Sequence, residues 1–112
     1  MKENKLVEYS MDFAVSVLLL TENISGHFSI KNQLERSATS IGANIREANY
    51  AQGKSDFAHK LKIALKECYE TEYWLELICR ANLVSPELVE KQIRECGRIR
   101  RMLIASINTV KS

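Results

Sequence analysis

The side chains that most often catalyse reactions or bind metals are scarce in this sequence. It contains two histidines, His27 and His59, and three cysteines, Cys68, Cys79 and Cys96. No Cys-x-x-Cys motif, Cys/His ligand spacing or Glu-x-x-His pair links them, so neither a zinc site nor a di-iron bundle is indicated. The cysteines fall on predicted core positions, where free cysteine usually packs as a small hydrophobic residue. We therefore predict exposed histidines, no metal or cofactor, no small-molecule substrate, and a protein that is not an enzyme.

Lysines and arginines have a clearer chemistry, which is the binding of phosphate groups. Helical spacing places one set along one side of the fourth predicted helix, another along the third, and the rest near the turn before the third. The candidate nucleic-acid-binding residues are Arg46, Lys54, Lys62, Lys66, Lys91, Arg94, Arg98 and Arg101. The alternative is a solvated helix face, because the net charge is only +2 and charge on a helix usually means exposure. In a symmetric ring, each subunit would repeat these residues and create an extended positive surface.

Four polar residues at or near predicted core positions form a second group. They are Ser37, Asn44, Glu72 and Arg100. A buried charge is costly unless it is paired, so Glu72 should meet a partner, for which Arg100, Arg36 and Asn44 are the candidates. The group could line a functional pocket, but no nucleophile or metal ligand accompanies it. We favour an internal polar network that fixes how the helices pack.

Two helices carry apolar residues on a second side, away from their core stripes. A monomeric four-helix bundle needs only one buried face per helix, so this second side predicts contact between subunits. The predicted oligomer interface is Ile63, Tyr73, Trp74 and Leu77 on the third helix, with Met11, Val15 and Leu18 on the first. Tyr69, Tyr73 and Trp74 could instead stack nucleic-acid bases, although their apolar neighbours favour protein contact.

The elements that must position these residues are four α-helices, predicted from hydrophobic residues at three- and four-residue spacing. The first should cover residues 5–23, with a core stripe of Leu6, Phe13, Val17, Leu20 and Ile24. The second should start after Ser29 as N-cap, the third should run from a Ser55 N-cap to about residue 81, and the fourth should open at Ser85-Pro86. The chain of 112 residues fits one all-α domain. Short turns favour an antiparallel up-down-up-down bundle.

The apolar segments are too short for a membrane protein. The most apolar run covers residues 13–20, far short of the ~20 residues that cross a bilayer. Its flanks do not fit a secretory signal, and an odd number of cysteines suggests reduced thiols. We expect a cytoplasmic protein without a membrane span.

A longer pattern runs through the second and third helices. It reads Gln33-x-x-Arg36-x-x-x-Ser40-Ile41-x-x-Asn44-Ile45-x-Glu47, then Lys54-Ser55-Asp56-Phe57, Leu61-x-Ile63-Ala64 and Glu70-Thr71-Glu72 with Leu75. This pattern resembles the "four helix bundle protein" family, also called intervening-sequence proteins of large-subunit ribosomal RNA. The chain departs from the family pattern at Gly42, where proline is frequent, and at residues 46–49, where Ala-Glu-Gly is usual.

The resemblance implies a bacterial antiparallel four-helix bundle that assembles as a homopentameric ring without enzymatic activity. A related branch, the accessory variability determinant of diversity-generating retroelements, is similar in fold and acts as a basic pentameric partner of a reverse transcriptase and its template RNA. Two hypotheses follow. The first is a non-catalytic, ring-forming scaffold that binds nucleic acid beside a reverse transcriptase; we expect the nucleic acid to be RNA, with DNA as the other candidate. The alternative is a structural or protein-binding module with no nucleic-acid role.

Overall fold

The computed structural model describes residues 4–111 and consists of four α-helices. These are α1 (Asn4–Thr21), α2 (Phe28–Ala48), α3 (Lys54–Arg80) and α4 (Pro86–Lys111). The described residues contain no β-strand, so the predicted all-α class is confirmed. The molecule measures 44 × 20 × 19 Å. Because the 27 residues of α3 extend about 40 Å at ~1.5 Å per residue, the helices follow the long axis.

The helices enclose one hydrophobic core. α2 packs against α1 and α3, and α4 packs against α3 and α1, whereas the Cα atoms of the diagonal pairs stay more than 8 Å apart within residues 4–111. The predicted core stripe of α1 is confirmed, since all of its members are buried: Leu6, Phe13, Val17, Leu20 and Ile24. The largest buried side chain from α3 is Phe57. Burial of this apolar surface is the main force that holds the four helices together.

Two of the predicted helix starts are wrong. Ser29 and Ser55 lie inside α2 and α3, and neither helix has a side-chain N-cap. Each begins earlier because backbone carbonyls supply the first helical hydrogen bonds: those of His27 and Gly53 accept at 3.0 and 2.9 Å. Asp56 lies in the first turn of α3, and its Oδ2 accepts a hydrogen bond from the backbone N–H of Gln52 at 3.3 Å.

The predicted start of α4 is confirmed. The helix begins at Pro86, whose missing N–H costs nothing in the first turn, and the Ser85 carbonyl accepts the first helical hydrogen bonds. Val84 and Val89 are both buried across this start. At the preceding end of α3, Asn82 adopts a left-handed φ of 56°, a conformation that asparagine tolerates after a helix C-terminus.

Candidate nucleic-acid interface and subunit contacts

α4 carries four of the predicted phosphate-binding side chains along one side, a set that we call the α4 stripe. Its members are Lys91, Arg94, Arg98 and Arg101, all of them exposed. Spacings of three, four and three residues keep them on one side of the helix over about 15 Å. None of them forms a salt bridge with any residue between 4 and 111. The positive charges of the stripe are therefore free to meet an anionic partner.

The other four predicted phosphate ligands lie elsewhere on the bundle. Lys54, Lys62 and Lys66 are exposed in the first half of α3, and Arg46 is exposed near the end of α2. They too take part in no salt bridge within the described chain. Arg98 of the α4 stripe lies against α1, and no described Cα atom of α1 lies within 8 Å of one of α3. The structure thus does not bring the eight residues into one patch.

Other basic side chains are occupied by salt bridges between α2 and α3. Lys60 Nζ lies 3.0 Å from Glu47 Oε1. Arg36 Nη1 lies 3.3 Å from Glu67 Oε2, and its Nη2 contacts Glu70. The hydrogen bond with Glu70 raises the pKa of Arg36 above its usual value. These cations link α2 to α3. In this respect they differ from the cations of the α4 stripe, which form no salt bridge within the described residues.

Glu72 pairs with Arg100, one of the three partners considered for it. Arg100 Nε donates to Glu72 Oε1 at 2.6 Å, and the two side chains are only 28% and 26% exposed. This hydrogen bond raises the pKa of Arg100. The guanidinium also lies 5.9 Å from the centre of the Tyr69 ring. Arg100 therefore links α4 to α3 and does not belong to the exposed stripe.

The remaining polar residues of the predicted network lie apart from that pair. Thr71 Oγ1 donates to Ser37 Oγ at 2.9 Å, and both side chains are fully buried between α2 and α3. Asn44 Nδ2 donates to the Ser40 carbonyl of its own helix at 2.8 Å. The structure thus places Ser37, Asn44 and the Glu72 pair in three separate groups, not in one network. Each group satisfies its own polar atoms.

The predicted interface residues of α1 border an apolar groove. Met11, Val15 and Leu18 are 46%, 49% and 42% exposed, and they line a groove of ≈ 380 Å³ between α1 and α2. The backbone of Gly42 forms part of its α2 side. A Cβ at that position would lie 3.2 Å from Ser10 Oγ, so glycine allows the two helices to approach closely here. We call this surface the α1/α2 groove.

The predicted interface residues of α3 are packed to different degrees. Ile63 and Leu77 are half-buried, whereas Tyr73 is 57% exposed. Trp74 Nε1 donates to Glu70 Oε2 at 3.1 Å, and the Tyr73 ring meets the Trp74 ring edge to face with centres 5.0 Å apart. The hydrogen bond from Trp74 lowers the pKa of Glu70. These two contacts orient the indole. We call the surface formed by Ile63, Tyr73, Trp74 and Leu77 the α3 face.

The comparisons with known proteins agree with this architecture. Residues 2–105 match the profile of the 23S rRNA-intervening sequence protein family. This chain belongs to that family. A crystal structure of a protein of unknown function from the S23 ribosomal protein family of Bacteroides thetaiotaomicron is similar, with a TM-score of 0.85 and 42% identity over 91% of this chain and 97% of the other. No curated protein matches the chain.

Membership in the 23S rRNA-intervening sequence protein family confirms the resemblance found in the second and third helices. The relation to retroelement accessory proteins is not tested by these matches and stays a prediction. The departure from the family pattern at Gly42 has a local physical meaning in this member. A side chain there would crowd Ser10 of α1, so the position matters for the spacing of α1 and α2.

Three residues near the candidate sites were not predicted from the sequence. Tyr9 lies beneath Arg98, with the guanidinium carbon 4.1 Å from the ring centre. Gln92 is only 7% exposed, and its Oε1 accepts from Ser16 Oγ at 2.8 Å. Thr71 is buried where Glu72 was expected to enter the core. The three-residue spacing between the core residue Cys68 and Thr71 is a sequence signal for the burial of Thr71. Hydrophobic periodicity gives no such signal for the contacts between α4 and α1.

Two of the three thiols lie in the core as predicted, whereas Cys79 does not, because Ile78 takes the buried position at this turn of α3. Cys68 and Cys96 are buried and Cys79 is half-buried, all as free cysteines. Cys96 Sγ donates to the Cys68 carbonyl at 3.6 Å, and contact with Cys68 together with burial raises the pKa of the Cys96 thiol. Within residues 4–111, no cluster of three His, Cys, Asp or Glu side chains could hold a metal ion. None of the described helices is long and apolar enough to cross a membrane.

Proposed function

We propose that this family member is a non-catalytic, homo-oligomeric scaffold that binds RNA through its exposed basic side chains. The observation that carries the proposal is the α4 stripe, in which four exposed cations follow one side of a helix without a salt bridge to the described residues. Exposed cations in such a row can neutralise phosphates of a nucleic-acid backbone. Contacts of this kind give affinity and register but little sequence specificity.

We also infer that the four helices run up-down-up-down. Arg36 contacts Glu70, and further along α2 Glu47 contacts Lys60. Residue numbers that rise along α2 thus pair with numbers that fall along α3, as antiparallel neighbours require. The contacts between α1 and α4 reverse in the same way. In this arrangement the end of α2, the start of α3 and the second half of α4 share one end of the bundle, so most of the proposed phosphate ligands lie toward that end.

We propose that the oligomer is a ring of five subunits, as the family resemblance implies. The α1/α2 groove and the α3 face involve different parts of the bundle, so a contact between them would be heterologous. Heterologous contacts close into rings when the rotation between neighbours allows it. A ring would repeat the α4 stripe once per subunit, so that one RNA molecule could bind several stripes at once. Avidity of this kind raises affinity without new contacts.

Charge reversal tests the RNA-binding role. The triple variant Arg94→Glu, Arg98→Glu and Arg101→Glu should bind single-stranded RNA much more weakly, because repulsion of phosphate replaces three contacts. The salt dependence, which is about 0.7 per phosphate contact for single strands, should become shallower by about 2. Arg80→Glu serves as control, since Arg80 is 80% exposed but lies outside the proposed sites. RNA binding by the triple variant at the wild-type level would contradict the assignment.

A partnership with a reverse transcriptase is the sharper form of this proposal. It is supported by the resemblance and by the basic surface, and the neighbouring genes test it. A reverse transcriptase gene with a variable repeat beside this gene would support the partnership. A position within a ribosomal RNA locus would instead support the intervening-sequence branch and argue against a retroelement partner.

The second candidate is a structural or protein-binding module without a role in nucleic-acid binding. The α3 face favours it, because a hydrogen bond to Glu70 orients Trp74 and tryptophan and tyrosine are typical anchors of protein interfaces. Replacing Trp74 and Leu77 by glutamine should disperse the assembly or abolish capture of a partner. An unchanged mass by light scattering would refute the interface. Loss of assembly combined with absence of RNA binding by the wild-type protein would favour this module over the scaffold.

A further inference from the structure

The seam between α1 and α4 contains a polar cleft that the proposed backbone contacts do not explain. Its volume is ≈ 350 Å³, near the lower end of the ~300–1,000 Å³ that small-molecule sites occupy. Arg98 of the α4 stripe forms one wall, and its guanidinium lies over the ring of Tyr9 with 4.1 Å between the guanidinium carbon and the ring centre. The ring holds the planar cation in place while its other side remains accessible, since Arg98 is exposed.

The lining of the cleft carries both signs of charge. Asp12 and Glu95 place two carboxylates beside Lys91 and Arg98. Neither carboxylate takes part in a salt bridge with a residue of the described chain. Two unpaired carboxylates would repel a phosphate placed inside the cleft itself, so the group that enters the cleft should offer N–H donors to them. It should also offer acceptors to the lysine, and a flat surface to the guanidinium.

A buried amide adds a polar group to the cleft. Gln92 is 7% exposed, and its amide lies 2.8 Å from Ser16 Oγ, which also donates to the Phe13 carbonyl at 2.7 Å. The contact with Ser16 orients the amide and leaves its other polar atom to bond a ligand. A nucleobase has the required features: a planar face, exocyclic amino or ring N–H donors, and carbonyl or ring-nitrogen acceptors.

We propose that this cleft binds one unpaired base of single-stranded RNA, stacked on the Arg98 guanidinium. The proposal rests on the RNA-binding role given above, and it assigns that role a base-specific contact in addition to phosphate contacts. The α4 stripe, including the N–H groups at the edge of the Arg98 guanidinium, would hold the phosphates on either side of the base. Duplex RNA cannot fill the cleft, because its bases are stacked inside the helix.

The substitution Arg98→Lys tests the stacking, because it keeps the charge and removes the planar group. Loss of one stacked base usually weakens binding about 5- to 100-fold, and we expect this loss for an oligocytidine of ~12 nucleotides. Affinity for duplex RNA of the same length should change less than about twofold, since the phosphate contact is kept. Arg80→Lys is the matched control and should leave both affinities unchanged. Wild-type affinity of Arg98→Lys for the oligocytidine would overturn the proposal.

A measurement on the wild-type protein makes the test independent of how the variant folds. An abasic RNA strand of the same length keeps the phosphates and lacks the bases, and it should bind at least about fivefold more weakly than oligocytidine. Oligouridine should also bind more weakly, because uracil offers a single ring N–H in place of the two N–H donors of the cytosine amino group and so cannot serve both carboxylates. Equal affinity for the abasic strand would overturn the site. If salt-sensitive RNA binding persists in that case, the scaffold role stands and only the base site fails; if the wild-type protein binds no RNA, both fail.

Discussion

The α1/α2 groove gives the prediction of subunit contact that can be worked out most fully. Its three exposed side chains, Met11, Val15 and Leu18, retain a little under half of their surface in the isolated chain. Complete burial of such a side chain is worth about 1.5–3 kcal/mol, so covering the remaining part should contribute about 0.7–1.4 kcal/mol each. The three together should stabilise a subunit contact by about 2–4 kcal/mol.

Replacing all three residues by glutamine should therefore raise the dissociation constant of the assembly about 30- to 700-fold. Sedimentation velocity over a range of protein concentrations measures this shift. Exposed substitutions of this kind usually change the free energy of unfolding by less than about 0.5 kcal/mol each, which circular dichroism can check. Leu88→Gln is the control, because Leu88 is 47% exposed but lies on α4 outside the groove. An assembly of the triple variant that is as stable as the wild type would refute the groove as an interface.

Two further predictions concern the ionic contacts of α3. Glu72→Gln should lower the free energy of unfolding by about 1–2 kcal/mol, because it weakens a charged hydrogen bond to the half-buried Arg100, and a urea midpoint equal to that of wild type would contradict this. The pKa of Glu70 is lowered by Trp74 and then by Arg36, so its contribution to stability is present above the pKa of an unfolded glutamate and is lost as pH falls through the lower folded value. Glu70→Gln should therefore show a smaller loss of stability than wild type between pH ~5 and ~3, whereas equal losses in urea titrations would argue against the linkage.

Much of the fold could be predicted from the sequence because burial controls it. Apolar residues at helical spacing have to face a common core, and this requirement identified four helices and the complete core stripe of α1. The helix starts at Ser29 and Ser55 could not be predicted from residue preference. The carbonyls of His27 and Gly53 accept the first hydrogen bonds, and any residue can supply a backbone carbonyl. A serine side chain can cap a helix, but these two helices begin without a side-chain cap.

The candidate sites were less predictable because they depend on which side chains meet across helices. Arg36 is held in a salt bridge, whereas Arg94 is not, yet both are arginines on helical surfaces. The base site requires Tyr9 of α1 to lie beneath Arg98 of α4, a contact between residues far apart in the chain. Periodicity gives the side of each helix that faces the core, but it does not give the rotation of exposed sides toward particular neighbours.

RNA binding itself is tested most directly by the salt dependence of wild-type affinity for single-stranded RNA. If the four cations of the α4 stripe each contact a phosphate, the logarithm of the association constant should fall with a slope of about −2.8 against the logarithm of salt concentration. Affinity should then drop about 50-fold between ~50 and ~200 mM salt. Fluorescence anisotropy with a labelled oligonucleotide measures this slope. A slope near zero, or no binding at the lowest salt concentration, would contradict the RNA-binding scaffold.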